Sequence, residues 1–224
     1  MEWKVMDTIT ETDNTKTVRF LPTKNVHFLP GQYFVFHDTV NYLEDCRAYS
    51  SSSSPTQKLI DITVKLVKNP HFSKHLHSMP KGYNIEVKGP YGQFYFDGLA
   101  KEVVLIGAGS GMAPLRSIMR YTLDKNMPTK IVVVHSARTS NDLIYREELQ
   151  KLAKEEKIKL FVTLTKEKGP CSGRINADLL KHAISALRNP AFYICGPQPM
   201  ITSVKNILAE LKINEKEIHA EGFS

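Results

Sequence analysis

The hydrophobic pattern of this chain changes its period near the middle, and that change limits the folds that the chain can adopt. Up to about residue 98, apolar and polar residues alternate in short bursts such as QYFVFH and YNIEVKG, which predicts antiparallel strands in a small barrel or sandwich. Beyond residue 100, buried strands such as KIVVVHSA alternate with helical segments such as PLRSIMRYTLDK, which predicts βαβ units and a parallel sheet. We therefore expect an all-β domain over residues 1–98 and an α/β domain over residues 99–224.

Charge is unevenly divided between the two expected domains. Lys and Arg exceed Asp and Glu by one (11 against 10) in residues 1–98 and by six (19 against 13) in residues 99–224. Basic proteins often bind nucleic acid, but this sequence contains no Lys/Arg block, aromatic RNA-binding motif or recognition-helix signature. The basic second half is better explained by an anionic small molecule or an acidic protein partner.

Cysteine content and hydropathy indicate the cellular compartment in which the chain is expected. The three cysteines, Cys46, Cys171 and Cys195, are too scattered for a disulfide framework and form no C-x-x-C pair for zinc. The N-terminal segment MEWKVMDTITETD carries acidic residues, and the longest apolar stretch, VVLIGAGSGMAPL, is short and rich in glycine. These features predict a soluble, cytoplasmic protein that does not associate with membranes.

Two polar segments are interpreted as parts of the surface. His71 and His75 could share a helix face, but no third ligand and no H-E-x-x-H signature accompanies them, so we expect no metal site. The run REELQKLAKEEK places Glu147 and Lys151 at a spacing that allows pairing on a helix, and we interpret it as a solvated helix face.

The segment VVLIGAGSGMAP places Gly107, Gly109 and Gly111 directly after a buried strand and before a helix. Glycines allow a tight turn and a close approach of the backbone to a ligand, and the helix N-terminus attracts an anion. Pro114 suits the first helical turn, where its missing N–H has no partner in any case. The spacing departs from G-x-G-x-x-G, and a tight turn without a ligand is the alternative to a phosphate-binding loop.

A second loop, YICGPQPM, follows the last long strand and has Cys195 at its tip. Ligands of open α/β sheets bind outside the carboxyl ends of the strands, so the Cys195 thiol is a possible contact for a ligand. Free cysteines are often buried, and simple packing is the alternative.

The segment CRAYSSSSSP is either a flexible linker or the wall of a site. Polar low-complexity runs usually stay solvated, which favours the linker. Against it, Arg47 and Tyr49 alternate with Cys46, Ala48 and Ser50 at the period of a strand. An arginine beside a tyrosine supplies a phosphate clamp and a flat aromatic surface, which favours a site.

Taken in order, the stretches RAYSSSSSP, VKGPYGQF, IGAGSGMAP, CGPQPM and the terminal HAEGF resemble the ferredoxin-NADP reductase family. The resemblance spans nearly the whole chain. It implies an N-terminal antiparallel flavin-binding barrel followed by a parallel-sheet NAD(P)-binding domain. It also implies tightly bound FAD, with NADPH as the donor and NADH as the alternative, and makes the serine run a wall of the site.

The family's R-x-Y-S-x-x-S pattern implies roles for several residues of the barrel. By resemblance, Arg47 would bind the flavin pyrophosphate, Tyr49 would pack on the isoalloxazine ring, and Ser50 would hydrogen-bond near N5. Pro70 stands where the family's G-x-x-S-x-x-L motif has glycine. Further flavin-binding positions would be Ala48, Ser53, Val64, Lys65, Phe72 and Ser73.

The resemblance also implies a nucleotide site and a hydride-transfer site. Arg138, Lys166 and Arg174 would bind the 2′-phosphate of NADPH, with Lys166 standing where an arginine is usual. Ser50, Cys195 and Glu221 would form the hydride-transfer site, where no residue acts as a nucleophile. The remaining nucleotide-binding positions would be Gly107, Gly109, Gly111, Met112, Cys195 and Gly196. Phe223 would cover the flavin face opposite Tyr49, and a packed or frayed terminus is the alternative.

The implied function is an NAD(P)H-dependent flavoprotein reductase that passes electrons from FAD to a separate carrier such as a ferredoxin or flavodoxin. The carrier must be separate because a plant-type [2Fe–2S] cluster needs four cysteines and the chain has three. One alternative is a flavin reductase that uses free flavin as a substrate. Another is an electron-transfer subunit of a larger dehydrogenase, although such subunits tend to carry a C-terminal cysteine cluster.

Overall fold

The computed structural model describes residues 1–40, 42–67, 70–169 and 172–223, with Phe223 described by its backbone only. The first half of the chain forms a six-stranded antiparallel sheet in the order β4-β3-β6-β1-β2-β5. Its strands are β1 (Glu2–Thr12), β2 (Thr15–Pro22), β3 (Tyr33–Val40), β4 (Leu43–Ser50), β5 (Ile60–Lys65) and β6 (Asn84–Tyr91). A short helix, α1 (His71–Ser78), connects β5 to β6.

Because side chains alternate between the two faces of each strand, aromatic side chains gather on the buried face of this sheet. The Trp3 ring lies edge-on to Phe34 with centroids 4.7 Å apart and to Phe36 at 5.6 Å, and all three side chains are fully buried. Such pairs stabilise a core by about 0.5–1.5 kcal/mol each beyond their burial. The two edge strands meet where Ser51 forms an antiparallel bridge with Ile62, which closes the sheet into a barrel.

The second half forms a five-stranded parallel sheet in the order β11-β10-β7-β8-β9. Its strands are β7 (Glu102–Ala108), β8 (Lys130–Ala137), β9 (Lys159–Leu164), β10 (Ala191–Pro197) and β11 (Ile218–Phe223). Four helices cover its faces: α2 (Met112–Asp124), α3 (Arg146–Lys154), α4 (Ala177–Ile184) and α5 (Gln198–Glu210). The central strands are buried on both faces, which explains their nearly continuous apolar sequences.

The expected fold class, a β-barrel followed by an α/β domain, is confirmed by this architecture and by the structural matches reported below. The last barrel strand ends at Tyr91 and the first parallel strand begins at Glu102, and the boundary at residues 98 and 99 stays a prediction. Among the described residues, no helix is long and apolar enough to cross a membrane. Strand β11 was not expected, since the sequence indicated only a terminal tail there.

The serine run lies between the barrel and helix α2. Ser51, Ser52, Ser53 and Ser54 are each fully buried, so the run is not a solvated linker. The Ser52 amide donates to the Asp61 carbonyl at 2.8 Å within the barrel. On the other side, the Ser117 hydroxyl of α2 donates to the Ser53 carbonyl at 2.6 Å. The run therefore joins the barrel to the α/β domain through its backbone.

Helix α3 is only partly the solvated face that the sequence indicated. Lys151 pairs with Glu155 at 3.9 Å rather than with Glu147. The Glu148 side chain is mostly buried and accepts hydrogen bonds from Arg116 and Arg120 of α2. The expectation was wrong at Glu148 because the spacing of charges within one helix does not show which of them faces a neighbouring helix.

Candidate functional site

A cavity of about 1070 Å³ lies between the barrel and the α/β domain. Most small-molecule sites measure about 300–1,000 Å³, so this one is large enough for an extended ligand or for two ligands side by side. It is lined by β4, β5 and α1 of the barrel and by the carboxyl ends of β7 to β10 of the parallel sheet. The expected site residues that line it are Arg47, Ala48, Tyr49, Ser50, Lys65, Phe72, Ser73, Gly109, Arg138, Lys166 and Arg174.

Other expected site residues lie behind the cavity wall. Ser53 is buried in the serine run, where its hydroxyl accepts from the Asp61 amide at 3.0 Å. Val64 is buried in the barrel core, and its carbonyl accepts a hydrogen bond from His77 Nε2 at 2.7 Å. The expected site residues that do not line the cavity are Ser53, Val64, Gly107, Gly111, Met112, Cys195, Gly196 and Glu221. The side chain of Phe223 lies outside the described residues.

The barrel side of the cavity combines an aromatic surface with a cation. The Tyr49 ring stacks on Phe72 with centroids 6.5 Å apart and an interplanar angle of 24°. Burial raises the pKa of the Tyr49 phenol above its usual range, and the nearby Arg47 guanidinium only partly offsets this. Arg47 donates to the Asp45 carboxylate and to the Cys46 carbonyl, so its guanidinium is held at the strand edge. This arrangement suits a flat ring with an attached anionic group.

The Ser73 hydroxyl at the start of α1 provides a test of whether the cavity fits a flavin nucleotide. It is 6% exposed, lines the cavity and has no hydrogen-bond partner among the described residues. Leaving such a group without a partner costs about 1–3 kcal/mol. A phosphate oxygen of a bound nucleotide would satisfy it, so the residues present fit the implied FAD. Pro70, which replaces the expected glycine, directly precedes α1 and makes no side-chain hydrogen bond to cap the helix.

The glycine loop runs from the end of β7 into α2 as a single tight turn. Gly109 adopts a φ of +54°, which favours glycine. A Cβ at Gly111 would lie 2.2 Å from the carbonyl oxygen of Cys195, so the loop packs directly against the end of β10. A Cβ at Gly109 would lie 3.8 Å from Lys65 Nζ, which brings a barrel cation over the loop. A helix N-terminus without a side-chain cap, with a cation above it, is suited to phosphate.

Cys195 and Glu221 lie opposite each other in the register of β10 and β11. Cys195 is 1% exposed and packs in the core of the α/β domain. Burial raises the pKa of its thiol above the ordinary value, and the Glu221 carboxylate adds to the shift, so Cys195 stays protonated at neutral pH. Burial also raises the pKa of Glu221. Their role at a hydride-transfer site stays a prediction.

Three exposed cations gather at the ends of β8 and β9. Arg138, Lys166 and Arg174 all line the cavity, and the Lys166 amide donates to the Arg138 carbonyl at 2.8 Å. The two neighbouring carboxylates are engaged elsewhere. Glu167 accepts from the amide and hydroxyl of Ser140 at 2.6 and 2.9 Å, and Asp142 accepts from the amide and hydroxyl of Thr139 at 3.0 and 2.7 Å. This end of the cavity is therefore suited to an anion.

Sequence reasoning missed several cavity residues. Thr63 lines the cavity and bonds to Tyr145 of the α/β domain, to Thr17 at 2.8 Å and to Ser52 at 3.2 Å. Asp142 also lines it, and its capping of residues 139–142 was not recognised, although T-x-x-D is a capping signature. The histidines of α1 serve in packing and pairing: His75 Nε2 lies 2.8 Å from an Asp38 carboxylate oxygen.

Comparison with known proteins agrees with this organisation. Residues 2–96 match the family model described as "Oxidoreductase FAD-binding domain", and residues 105–206 match "Oxidoreductase NAD-binding domain". Ferredoxin--NADP reductase B of Sorangium cellulosum is 31% identical over 189 residues, which cover 79% of this chain and 78% of that protein. The flavohemoprotein of Oceanobacillus iheyensis is 27% identical over 99% of this chain, and the chain spans only 58% of its length. For a glycine betaine monooxygenase reductase subunit of Pseudomonas aeruginosa, the chain is 29% identical over 96% of its residues and spans 62% of that relative.

Solved structures show the same fold over nearly the full chain. The FAD/NAD-binding domain of a nitric oxide dioxygenase from Vibrio cholerae gives a TM-score of 0.90 at 22% identity, covering 99% of this chain and 98% of that one. A ferredoxin NADP+ reductase from Neisseria gonorrhoeae with bound FAD and NADP gives 0.84 at 21% identity, with coverage of 99% and 98%. With its FAD-binding domain followed by an NAD-binding domain, the chain belongs to the ferredoxin-NADP reductase family of oxidoreductases.

Proposed function

We propose that this chain is a flavoprotein reductase in which NADPH reduces a tightly bound FAD and the electrons pass to a separate carrier, such as a ferredoxin or flavodoxin. One observation carries the proposal: a single cavity is lined both by the R-x-Y-S segment of β4 and by the glycine loop before α2. A flavin on the barrel side and a nicotinamide on the sheet side would therefore share one cavity. Hydride transfer requires such close approach.

Bound FAD would supply the redox chemistry, taking up two electrons as a hydride and releasing them one at a time. The residues of this chain bind and orient it. Arg47 and the Ser73 hydroxyl would hold the pyrophosphate, and Tyr49 would hold the flat ring. Ser50, at the end of β4, would present its hydroxyl to the reacting edge of the ring.

On the sheet side, Cys195 and Glu221 would support the surface against which the nicotinamide rests, from behind the residues that line the cavity. Cys195 contributes bulk and an S–H group rather than a thiolate, because burial keeps its pKa high. Glu221 retains a proton to higher pH than an exposed carboxyl group, because burial raises its pKa.

NADPH is proposed as the donor because of the cations at the ends of β8 and β9. A 2′-phosphate is a dianion near neutral pH, and guanidinium groups bind such anions through charge-assisted bonds. Arg138, Lys166 and Arg174 line this part of the cavity, while Glu167 is occupied by Ser140. NADH would instead favour an acidic side chain available to the ribose hydroxyls.

A separate carrier is proposed because these 224 residues hold three cysteines and a plant-type cluster needs four. The relatives are named for different acceptors: they include a glycine betaine monooxygenase reductase subunit and an NADH-cytochrome b5 reductase. The acceptor of this chain can be identified by measuring electron transfer from the reduced protein to purified carriers.

The decisive experiment is an absorbance spectrum of the purified protein followed by anaerobic titration with NADPH and with NADH. We expect a flavin spectrum with one FAD per chain, which bleaches on addition of NADPH. A colourless protein that turns over added flavin would instead support the free-flavin alternative.

Donor preference is tested by the ratio of kcat/KM for NADPH to that for NADH. We expect the ratio to exceed one and to fall by about tenfold in Lys166→Ala/Arg174→Ala, a modest change because both side chains are exposed. Lys151→Ala, which removes an exposed lysine of α3, is the control and should leave the ratio unchanged. Equal use of both donors by the wild type, or an unchanged ratio in the double variant, would defeat the assignment.

A further inference from the structure

Arg116 of helix α2 lies at the junction of the two domains and is held from several sides. Its Nη1 donates to the Ser52 carbonyl of the serine run at 2.8 Å, and its Nε donates to Glu148 of α3 at 2.7 Å. Its guanidinium carbon lies 4.8 Å from the centre of the Tyr145 ring. Its Nη1 also lies 3.7 Å from the Asp61 carboxylate of β5. Only 14% of the Arg116 side chain is exposed, so it joins the two domains largely out of contact with solvent.

The two segments that Arg116 connects each begin at a wall of the cavity. The serine run continues directly from Ser50, on the flavin side, and α2 continues directly from the glycine loop, on the nicotinamide side. The Arg116 bond to Ser52 and the Ser117 bond to Ser53 hold these segments side by side. A shift of one segment along the other would therefore change the separation of the two walls.

Charges alternate in sign around Arg116. Arg19 pairs with Asp61 through two hydrogen bonds at 2.8 and 3.0 Å, and Arg120 pairs with Glu148. Asp61 and Glu148 thus each retain an arginine if Arg116 is removed. Removing one member of a buried ion pair is strongly destabilising when the partner is left as an unpaired charge. Removing Arg116 leaves neither Asp61 nor Glu148 unpaired. Substitution of Arg116 is therefore expected to leave the protein folded.

We propose that Arg116 is a positioning residue that sets the separation of the flavin and nicotinamide walls, an inference that rests on the proposed reductase function. Reacting atoms must approach to about 3–3.5 Å for transfer, and a misplacement of 1 Å can lower a rate about 100-fold. Arg116 does not line the cavity, so it acts through Ser52 and the glycine loop rather than on either nucleotide.

The test is the rate constant for reduction of bound FAD by saturating NADPH, measured by anaerobic stopped-flow absorbance. In Arg116→Met we expect it to fall about 10- to 100-fold, while the Kd for NADPH changes less than about threefold and FAD stays bound. Arg116→Lys should recover part of the rate, because lysine keeps the charge but lacks the planar fork. The control is Arg120→Met: in the described part of the chain, Arg120 shares the Glu148 partner but makes no hydrogen bond to the barrel.

Amide hydrogen exchange, measured without NADPH or NADH, provides a second measurement that does not depend on activity. In Arg116→Met we expect faster exchange in both residues 51–54 and residues 112–117 than in wild type or Arg120→Met, since local opening tracks the loss of holding contacts. Unchanged exchange in both segments would overturn the inference.

The outcomes separate this inference from the proposed function. If NADPH does not reduce wild-type FAD, the reductase function fails, and hydrogen exchange alone decides whether Arg116 joins the segments. If wild type is reduced and Arg116→Met reacts within threefold of it, or loses NADPH affinity in proportion to rate, the positioning role is refuted. Should Arg116→Met fail to fold, Arg116→Lys and Ser117→Ala, which removes the 2.6 Å bond to Ser53, carry the same measurements.

Discussion

Replacing Gly111 by alanine should push apart the two loops on the nucleotide side of the cavity. The added Cβ would lie 2.2 Å from the Cys195 carbonyl oxygen, 2.5 Å from its carbonyl carbon and 2.8 Å from the Gly196 amide nitrogen. Ordinary contact begins at 3.4 Å, so Gly111 and Cys195 must separate by about 1 Å (3.4 minus 2.2). All three atoms belong to the backbone at the end of β10, which β7 and β11 hold on either side, so no side chain can rotate away.

The size of the effect follows from that displacement. A misplacement of about 1 Å lowers a positioned reaction by about 100-fold, which corresponds to about 2.7 kcal/mol in the activation free energy. Gly111→Ala should therefore keep its FAD, since the barrel is untouched, and be reduced by NADPH about 100-fold more slowly in stopped-flow absorbance.

The control for this variant is Gly98→Ala, in the connection between the domains. Gly98 has a φ of +87° and is outside the cavity lining, and its nearest contact for a Cβ is the end of the Met127 side chain at 3.2 Å. Alanine there should lower the melting temperature through backbone strain without slowing reduction. If Gly111→Ala is reduced within threefold of the wild-type rate, the glycine loop is a tight turn and does not position the nucleotide.

Three further predictions use the buried polar groups. Ser73→Ala should weaken FAD binding by about fivefold to tenfold in a fluorescence titration of apoprotein. The Ser73 hydroxyl has no hydrogen-bond partner among the described residues, so a phosphate of the bound FAD would be its partner. Equal affinities of wild type and variant would contradict this. Cys195→Ala and Glu221→Ala should each slow reduction of FAD by NADPH in stopped-flow absorbance while leaving FAD bound, and near-wild-type rates in both would show that these side chains only pack. Burial lowers the pKa of His135 to about 4, below the value of about 6.5 in the unfolded chain, so the unfolded state binds the proton more readily. The contribution of His135 to the free energy of unfolding should stay constant above pH 6.5 and fall by about 3 kcal/mol (2.5 pKa units) towards pH 4 in urea titrations. If His135→Gln loses the same free energy over this range, groups other than His135 cause the loss.

The fold could be predicted well where hydrophobic period and local geometry agree. The barrel strands alternate strictly enough that Phe34 and Phe36 enter the core, while Tyr33 and Val35, which alternate with them along the strand, do not. Strand β11 could not be recognised in the same way. Its segment IHAEGF has little apolar character, and it becomes a strand because β10 offers an unpaired edge in parallel register. An edge strand of this kind depends on its partner more than on its own sequence.

The candidate site shows the same division. Arg47 and Tyr49 were singled out because an arginine beside a tyrosine suits a phosphate and a flat ring, and the three cations because their positions resemble basic positions of the family; all five line one cavity. The burial of Cys195 behind the cavity wall could not be read from its position at a strand end. That burial depends on how closely the glycine loop approaches β10, which is a contact between residues far apart in sequence.

The serine run shows why composition alone left its interpretation open. A solvated linker and a buried polar strip both need small side chains that hydrogen-bond readily, so both favour serine. They differ in the groups that satisfy the hydroxyls and carbonyls. Here Ser51 bonds to Ser53, Ser54 bonds to Thr56, and the carbonyls of Ser52 and Ser53 accept from α2. Larger side chains would hold α2 away from the barrel, so small residues are required where the segment that starts at the flavin wall meets the helix that starts at the nucleotide loop.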